Sequence, residues 1–300
     1  DSDDAVFTVN RIPEIGVTPD SLYSELDEGE TGEQTLTISN TGGELLEVEI
    51  TILETVTDID GNVYETVEIG DQVWMKENLK VTHYNDGSEI PTGYSQSEWA
   101  NLSTGAYAVY DDNESNADIY GNLYNWYAVD DDSGVCPANW HMPTDEEIKQ
   151  LEMHLGMSQE TADSLGWRGT NEGSKLAGGA DLWTDENNLE NNEAFGTSGF
   201  DFLPGGYRGS GGGYTDMGNH GYFWSSTEDS NSGALRRRLS YHHSEVSRHS
   251  ETMRRGFSVR CIRDVDYLTI LDSDEPNNEA HLGDFREAHF KAADKNPVIL

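Results

Sequence analysis

Residues 219–264 read NHGYFWSSTEDSNSGALRRRLSYHHSEVSRHSETMRRGFSVRCIRD. The stretch opens on an aromatic block, Gly221-Tyr222-Phe223-Trp224-Ser225-Ser226, and closes around Cys261, one of two cysteines in the chain. Between Leu235 and Arg263 eight arginines (236, 237, 238, 248, 254, 255, 260 and 263) stand against two acids, Glu245 and Glu251, a net of about +6 in a chain of −39. Side chains alternate across a strand, so Arg236, Arg238 and His242 are expected on one sheet face, with Arg237, Leu239, Tyr241 and His243 on the other. Charge segregated in this way marks a face for an anionic partner. The competing reading is that these arginines pair with the protein's own plentiful carboxylates.

Composition sets the bounds. Three hundred residues suggest two domains, or one domain with an appended module. The chain is 35% hydrophobic, with 14 tyrosines and 7 tryptophans, which suits β structure with half-buried rings. An isoelectric point near 4.2 excludes nucleic acid and anionic membrane as general partners. No run reaches transmembrane length, and Asp1 reads as a processed start.

The first 55 residues carry short β signals. Ala5–Val9 is apolar and β-prone, Gly32–Asn40 alternates in period two, and Leu45–Ile52 resumes the alternation after the Thr41-Gly42-Gly43 turn. The run TISNTGGELLEVEI resembles bacterial surface immunoglobulin-like modules. About four strands fit here, whereas a complete sandwich takes about seven. A strand from 265–300, or from a neighbouring copy, is therefore expected to complete it. Val6, Phe7 and Val9 are the candidate donors from the front, and Val298 and Ile299 from the back. Val265–Leu271 reads as a further strand. Residues 1–54 hold fourteen acids and one base, Arg11, so this segment complements the arginine stretch and could dock on it between copies.

Farther along, Thr144 and Glu147 form a capping-box pair ahead of Ile148, Leu151 and Leu155, which predicts a helix ended by Gly156. Shorter helices are expected at Ser95–Leu102 and Ser158–Leu165. Gly205–Gly213 lacks the Gly-Lys-Ser/Thr ending of a phosphate loop and reads as a plain loop.

Five ordered blocks carry a family resemblance. They are Asp58–Tyr64 with Ile69–Leu79, Tyr120–Val129, Cys136–Thr144, Gly199–Arg208, and YFWSST with GFSVRCIRD. Together, over about 56–264, they resemble the Fibrobacter succinogenes major paralogous domain. The resemblance implies a C-type-lectin-like fold on a secreted or surface protein of bacteria. It also implies a disulfide between Cys136 and Cys261, the alternative being two buried thiols. The expected class is thus mainly β (α+β): a lectin-like domain at 56–264, plus a small β-sandwich module from 1–55 and 265–300.

The site readings follow from these blocks. The ligand-binding candidates are Tyr222, Arg236, Arg238, Tyr241, His242 and Arg248, because arginine forks suit carboxylates and sulfates and tyrosines stack on sugars. Asp111, Asp112, Asn113 and Asp118 form an oxygen-rich segment, read either as a calcium loop or as a solvated acidic loop. Zinc motifs are missing. The lectin-like fold also hosts formylglycine-generating enzymes, whose ends are similar to GFSVRCIRD. That chemistry needs two reactive cysteines, and both of those present are committed to the core. The expectation is a secreted, non-catalytic protein: a structural subunit that self-associates into an extracellular filament or surface assembly, or a free adhesin for anionic glycan.

Overall fold

The computed structural model describes residues 55–264 apart from 185–187 and 231–232, together with three strands outside that range. By its contacts the chain divides into two units, Asp1–Thr55 with Leu268–Leu300, and Val56–Tyr267. The first holds an antiparallel sheet in which Thr31–Asn40 lies between Ile15–Thr18 and Ala288–Ala293. The carboxy-terminal strand pairs in register Ala288↔Leu36 through Ala293↔Thr31. A strand from the end of the chain thus lies beside one from the beginning. Val6, Phe7, Val9, Val298 and Ile299, and the strands expected at 45–52 and 265–271, fall outside the described residues.

The larger unit is mixed α+β and mostly strands. Its main sheet contains β1 (Gly166–Arg168), β2 (Gly205–Arg208), β3 (Tyr214–Met217), β4 (His220–Ser230), β5 (Gly233–Ser240) and β6 (His243–Thr252), in the order β3-β2-β4-β5-β6-β1. β2 and β4 run parallel, and the other neighbours are antiparallel. Residues 221–225 of β4 are buried because both faces are covered there. Tyr222 and Trp224 pack on Phe257 on one side, with ring centroids 4.9 Å and 4.4 Å away. Phe223 meets Phe202 on the other, at 4.9 Å.

A five-stranded sheet joins the two ends of the unit. Its order is Thr55–Thr57, Val63–Ile69, Gln72–Met75, Ile262–Arg263, Trp140–His141. Ile262 pairs with both Trp74 and His141. The expected disulfide is present beside this seam, with the Cα atoms of Cys136 and Cys261 5.8 Å apart. Closing a loop of that length stabilises by roughly 4–5 kcal/mol in the chain-entropy account.

Helix α1 (Asp145–His154) forms as its sequence dictates. Thr144 Oγ1 accepts from the Glu147 amide, the Glu147 carboxylate accepts from the Thr144 amide, and Ile148 and Leu151 are buried. The shorter helices are Gln96–Trp99 and Gln159–Asp163, each capped by the preceding serine. The glycine-rich 205–213 segment differs from the expected loop, since its first four residues are strand β2. Gly206 has φ +64, and a Cβ there would lie 2.5 Å from the Thr215 carbonyl. Glycine serves the close approach of two strands rather than a loop.

Candidate ligand-binding site

The arginine stretch divides between the two faces of the main sheet. Arg237 turns inward toward α1: its Nε donates to Glu152 Oε1 at 2.7 Å and its Nη1 to Asp145 Oδ1 at 2.7 Å. Arg168 reaches the same Glu152, Nη2 to Oε2 at 2.9 Å, and Arg248 grips Asp145 through Nε and Nη2 at 2.9 Å and 2.7 Å. Burial alone would push the Asp145 carboxyl up, but the Arg248 hydrogen bond and the Arg237 charge outweigh it and hold the pKa at about 2. Arg260 is also internal. It donates to Asn78 Oδ1 at 2.9 Å and to the carbonyls of Phe200 and Asp201, and burial lowers its pKa to about 9. Arg237, Arg248 and Arg260 therefore tie the domain's elements together, and Arg248, a ligand-binding candidate from the sequence, lies on the Arg237 face bound to Asp145.

Arg236 and Arg238 occupy the opposite face, as the alternation predicts, each above the ring of Tyr222 at 5.6 Å and 5.9 Å. Tyr222 meets Tyr207 edge-on at 4.9 Å, and Arg255 lies 5.1 Å above Tyr207. These three arginines share one carboxylate among the described residues. Glu251 is 3.5 Å from Arg236 Nη2 and 3.3 Å from Arg255 Nε, and Arg238 forms no ion pair among these residues. The Nε–H groups of Arg236, Arg238 and Arg255 are all buried without a hydrogen-bond acceptor, the 3.3 Å approach of Glu251 to Arg255 being poorly aligned. A buried donor left unpaired costs about 1–3 kcal/mol. Burial, reinforced by the neighbouring Arg238, pulls the Arg236 pKa down to about 10. With one carboxylate for three guanidinium groups among the described residues, the patch favours an added anion.

The patch continues along the sheet in two directions. On one side Tyr222 Oη donates to Asp216 Oδ2 at 3.2 Å, and His220 Nδ1 sits 2.9 Å from the same oxygen. Burial first, and then the charges of Arg238 and His242, lower the His220 pKa despite Asp216. On the other side Arg238 lies 4.7 Å from the centre of the Trp167 ring, which stacks on His243 at 3.9 Å and 12°. Beyond His243 opens a polar hollow of about 460 Å³ lined by Asn188, Asn191, Asn192, His242, His243, Ser244 and Glu245. β5 ends at Ser240, so His242 lies in the turn and lines the hollow instead of sharing the face of Arg236 and Arg238. Tyr241 is half-buried and tilts over His242 at 3.6 Å.

Sequence reasoning missed Tyr207, Arg255, Trp167 and the three asparagines. They come from four separate segments, and only the strand register brings them together. The Asp111–Asp118 segment is also different from a loop. Tyr110–Asp112 is a 3-10 turn, Glu114–Tyr120 is helical, and Asn113 caps that helix by accepting from the Ser115 amide. Asp112 accepts from Tyr214 Oη at 2.6 Å. Among the described residues no three His, Cys, Asp or Glu side chains converge to hold a metal ion.

Residues 67–263 match the Fibrobacter succinogenes major domain, Fib_succ_major. The chain belongs to this family, and the match takes in the six-stranded sheet, the disulfide and the five-stranded sheet from residue 67 onward. No curated protein and no solved structure matches the chain. The disulfide is consistent with an extracellular protein. Among the described residues no helix is long and apolar enough to cross a membrane.

Proposed function

We propose that this chain is an extracellular, non-catalytic binding protein whose Fib_succ_major domain has a C-type-lectin-like architecture. Support for the architecture is the pairing of Gln72–Met75, from the domain's beginning, with its last strand Ile262–Arg263, locked beside the disulfide. The observation that carries the binding function is the patch itself. Arg236, Arg238 and Arg255 stand over a tyrosine pair and share a single carboxylate, Glu251, among the described residues. Such a surface takes a carboxylate or sulfate from a ligand. The test is binding to immobilised acidic polysaccharide at rising salt. Affinity falls steeply over the first few hundred millimolar, because the exposed part of the attraction is screened beyond about 8–10 Å. Salt-independent retention would place binding elsewhere.

A second reading is a subunit of an extracellular filament. Its support is the sheet of the smaller unit, which has three strands among the described residues and offers edge strands to a neighbour. Electron microscopy of native material discriminates: filaments favour this reading, dispersed particles the first.

A further inference from the structure

Resting on that binding reading, we infer that the ligand is an acidic oligosaccharide held at two places at once. Its anionic group sits among Arg236, Arg238 and Arg255, and uncharged hydroxyls of a neighbouring sugar sit in the asparagine hollow. Continuity is the first argument. Arg238 touches the Trp167 ring, Trp167 stacks on His243, and His243 lines the hollow, so one ring joins the two places.

The chemistry of the hollow is the second argument. A sugar hydroxyl donates and accepts together, and an asparagine amide offers both functions. Asn188 Nδ2 donates to the His242 carbonyl at 2.8 Å, which fixes that amide and leaves its oxygen for a ligand. Asn192 Oδ1 accepts from the Ala194 amide at 3.0 Å, which leaves its NH2. Asn191 is exposed on the rim. Among the described residues no arginine or lysine lines the hollow, and its carboxylate, Glu245, lies 3.5 Å from His243. A second anionic group is therefore disfavoured there. A volume of about 460 Å³ falls within the usual range for small-ligand sites, roughly 300–1,000 Å³.

The experiment measures dissociation constants by calorimetry for four probes: tetragalacturonate, a sulfated chondroitin tetrasaccharide, neutral xylotetraose, and galacturonate monomer. The proteins are the full chain, Arg238→Gln, Asn191→Ala, and Arg254→Gln. Arg254 is an exposed arginine outside the patch, bonded to the Ala100 carbonyl, and serves as the charge control. Expected is binding of at least one acidic tetrasaccharide, which identifies carboxylate or sulfate as the anion, and no binding of xylotetraose. Arg238→Gln weakens it about tenfold or more, in line with a lost charge-assisted bond. Asn191→Ala weakens the tetrasaccharide several-fold but leaves the monomer unchanged, and Arg254→Gln changes neither. If Asn191→Ala is silent, or monomer and tetramer bind alike, the two-place ligand is wrong while the binding patch stands. If no acidic probe responds to Arg238→Gln, the binding reading itself falls.

Discussion

At the scale of single residues, burial decides what each arginine does. Arg237 is fully buried between Asp145 and Glu152, whereas Arg238, one position on, faces the opposite side of the sheet with no ion-pair partner among the described residues. Removing one partner from a buried ion cluster leaves charge uncompensated in low dielectric. Arg237→Ala is expected to destabilise the domain by about 3–5 kcal/mol, because Glu152 and Asp145 lose their shared partner. Arg254→Ala, at an exposed position, is expected to stay within about 0.5 kcal/mol. Urea unfolding of the two variants checks the contrast, and equal effects would contradict the assignment of Arg237 to the interior. Charge counting along the chain saw an excess of arginine but not this division. Asp145 and Glu152 are distant in sequence, and nothing local tells Arg237 from its neighbours except parity.

At the scale of elements, α1 and the end of the domain are held by one imidazole. His141 Nε2 lies 2.9 Å from Glu147 Oε1 and its Nδ1 2.5 Å from Asp264 Oδ1. The Glu147 hydrogen bond raises the His141 pKa against partial burial, and Asp264 adds to it. A group whose folded pKa is raised stabilises fully below its unfolded value of about 6.5 and loses that contribution as pH rises through the folded value. Glu147 works in the other direction. Burial opposes it, but the His141 bond and the Thr144 contacts bring it down to about 2, so its contribution fades as pH falls toward that value. The melting temperature is therefore expected to decline from slightly acidic to slightly alkaline pH, and His141→Gln to flatten that decline. An unchanged slope in the variant would show that the clamp contributes nothing. The helix was legible from Thr144, Glu147, Ile148 and Leu151, because capping and periodicity are local signals. The clamp was not, because Asp264 arrives through the five-stranded sheet.

At the scale of the whole molecule, local pattern revealed the framework and long-range pairing hid the site. The aromatic block of β4, the bridge from Cys136 to Cys261 and the strand at 31–40 stand in the structure where the sequence blocks place them. The patch needs Tyr207 from β2, Tyr222 from β4, Arg236 and Arg238 from β5, and Arg255 after β6. Their convergence follows from the strand order and the register Tyr222↔Arg238. The Asp111–Asp118 segment reads as a calcium loop or a solvated acidic loop, and its helical second half, capped by Asn113, is not legible from its acids alone.

The central claim is that the arginine stretch is divided between internal ion pairs and one partly open patch left for an anionic ligand. Dicarbonyl labelling of arginines, mapped by peptide mass spectrometry with and without the acidic oligosaccharide, tests it most directly. The account predicts that Arg237 and Arg260, both at 0% exposure, resist labelling in either condition. Arg238 and Arg255 react in the free protein and become protected by the ligand, and the exposed Arg254 reacts throughout. Ready labelling of Arg237 or Arg260 in the folded protein, or ligand protection of Arg254 with Arg238 left reactive, would contradict it.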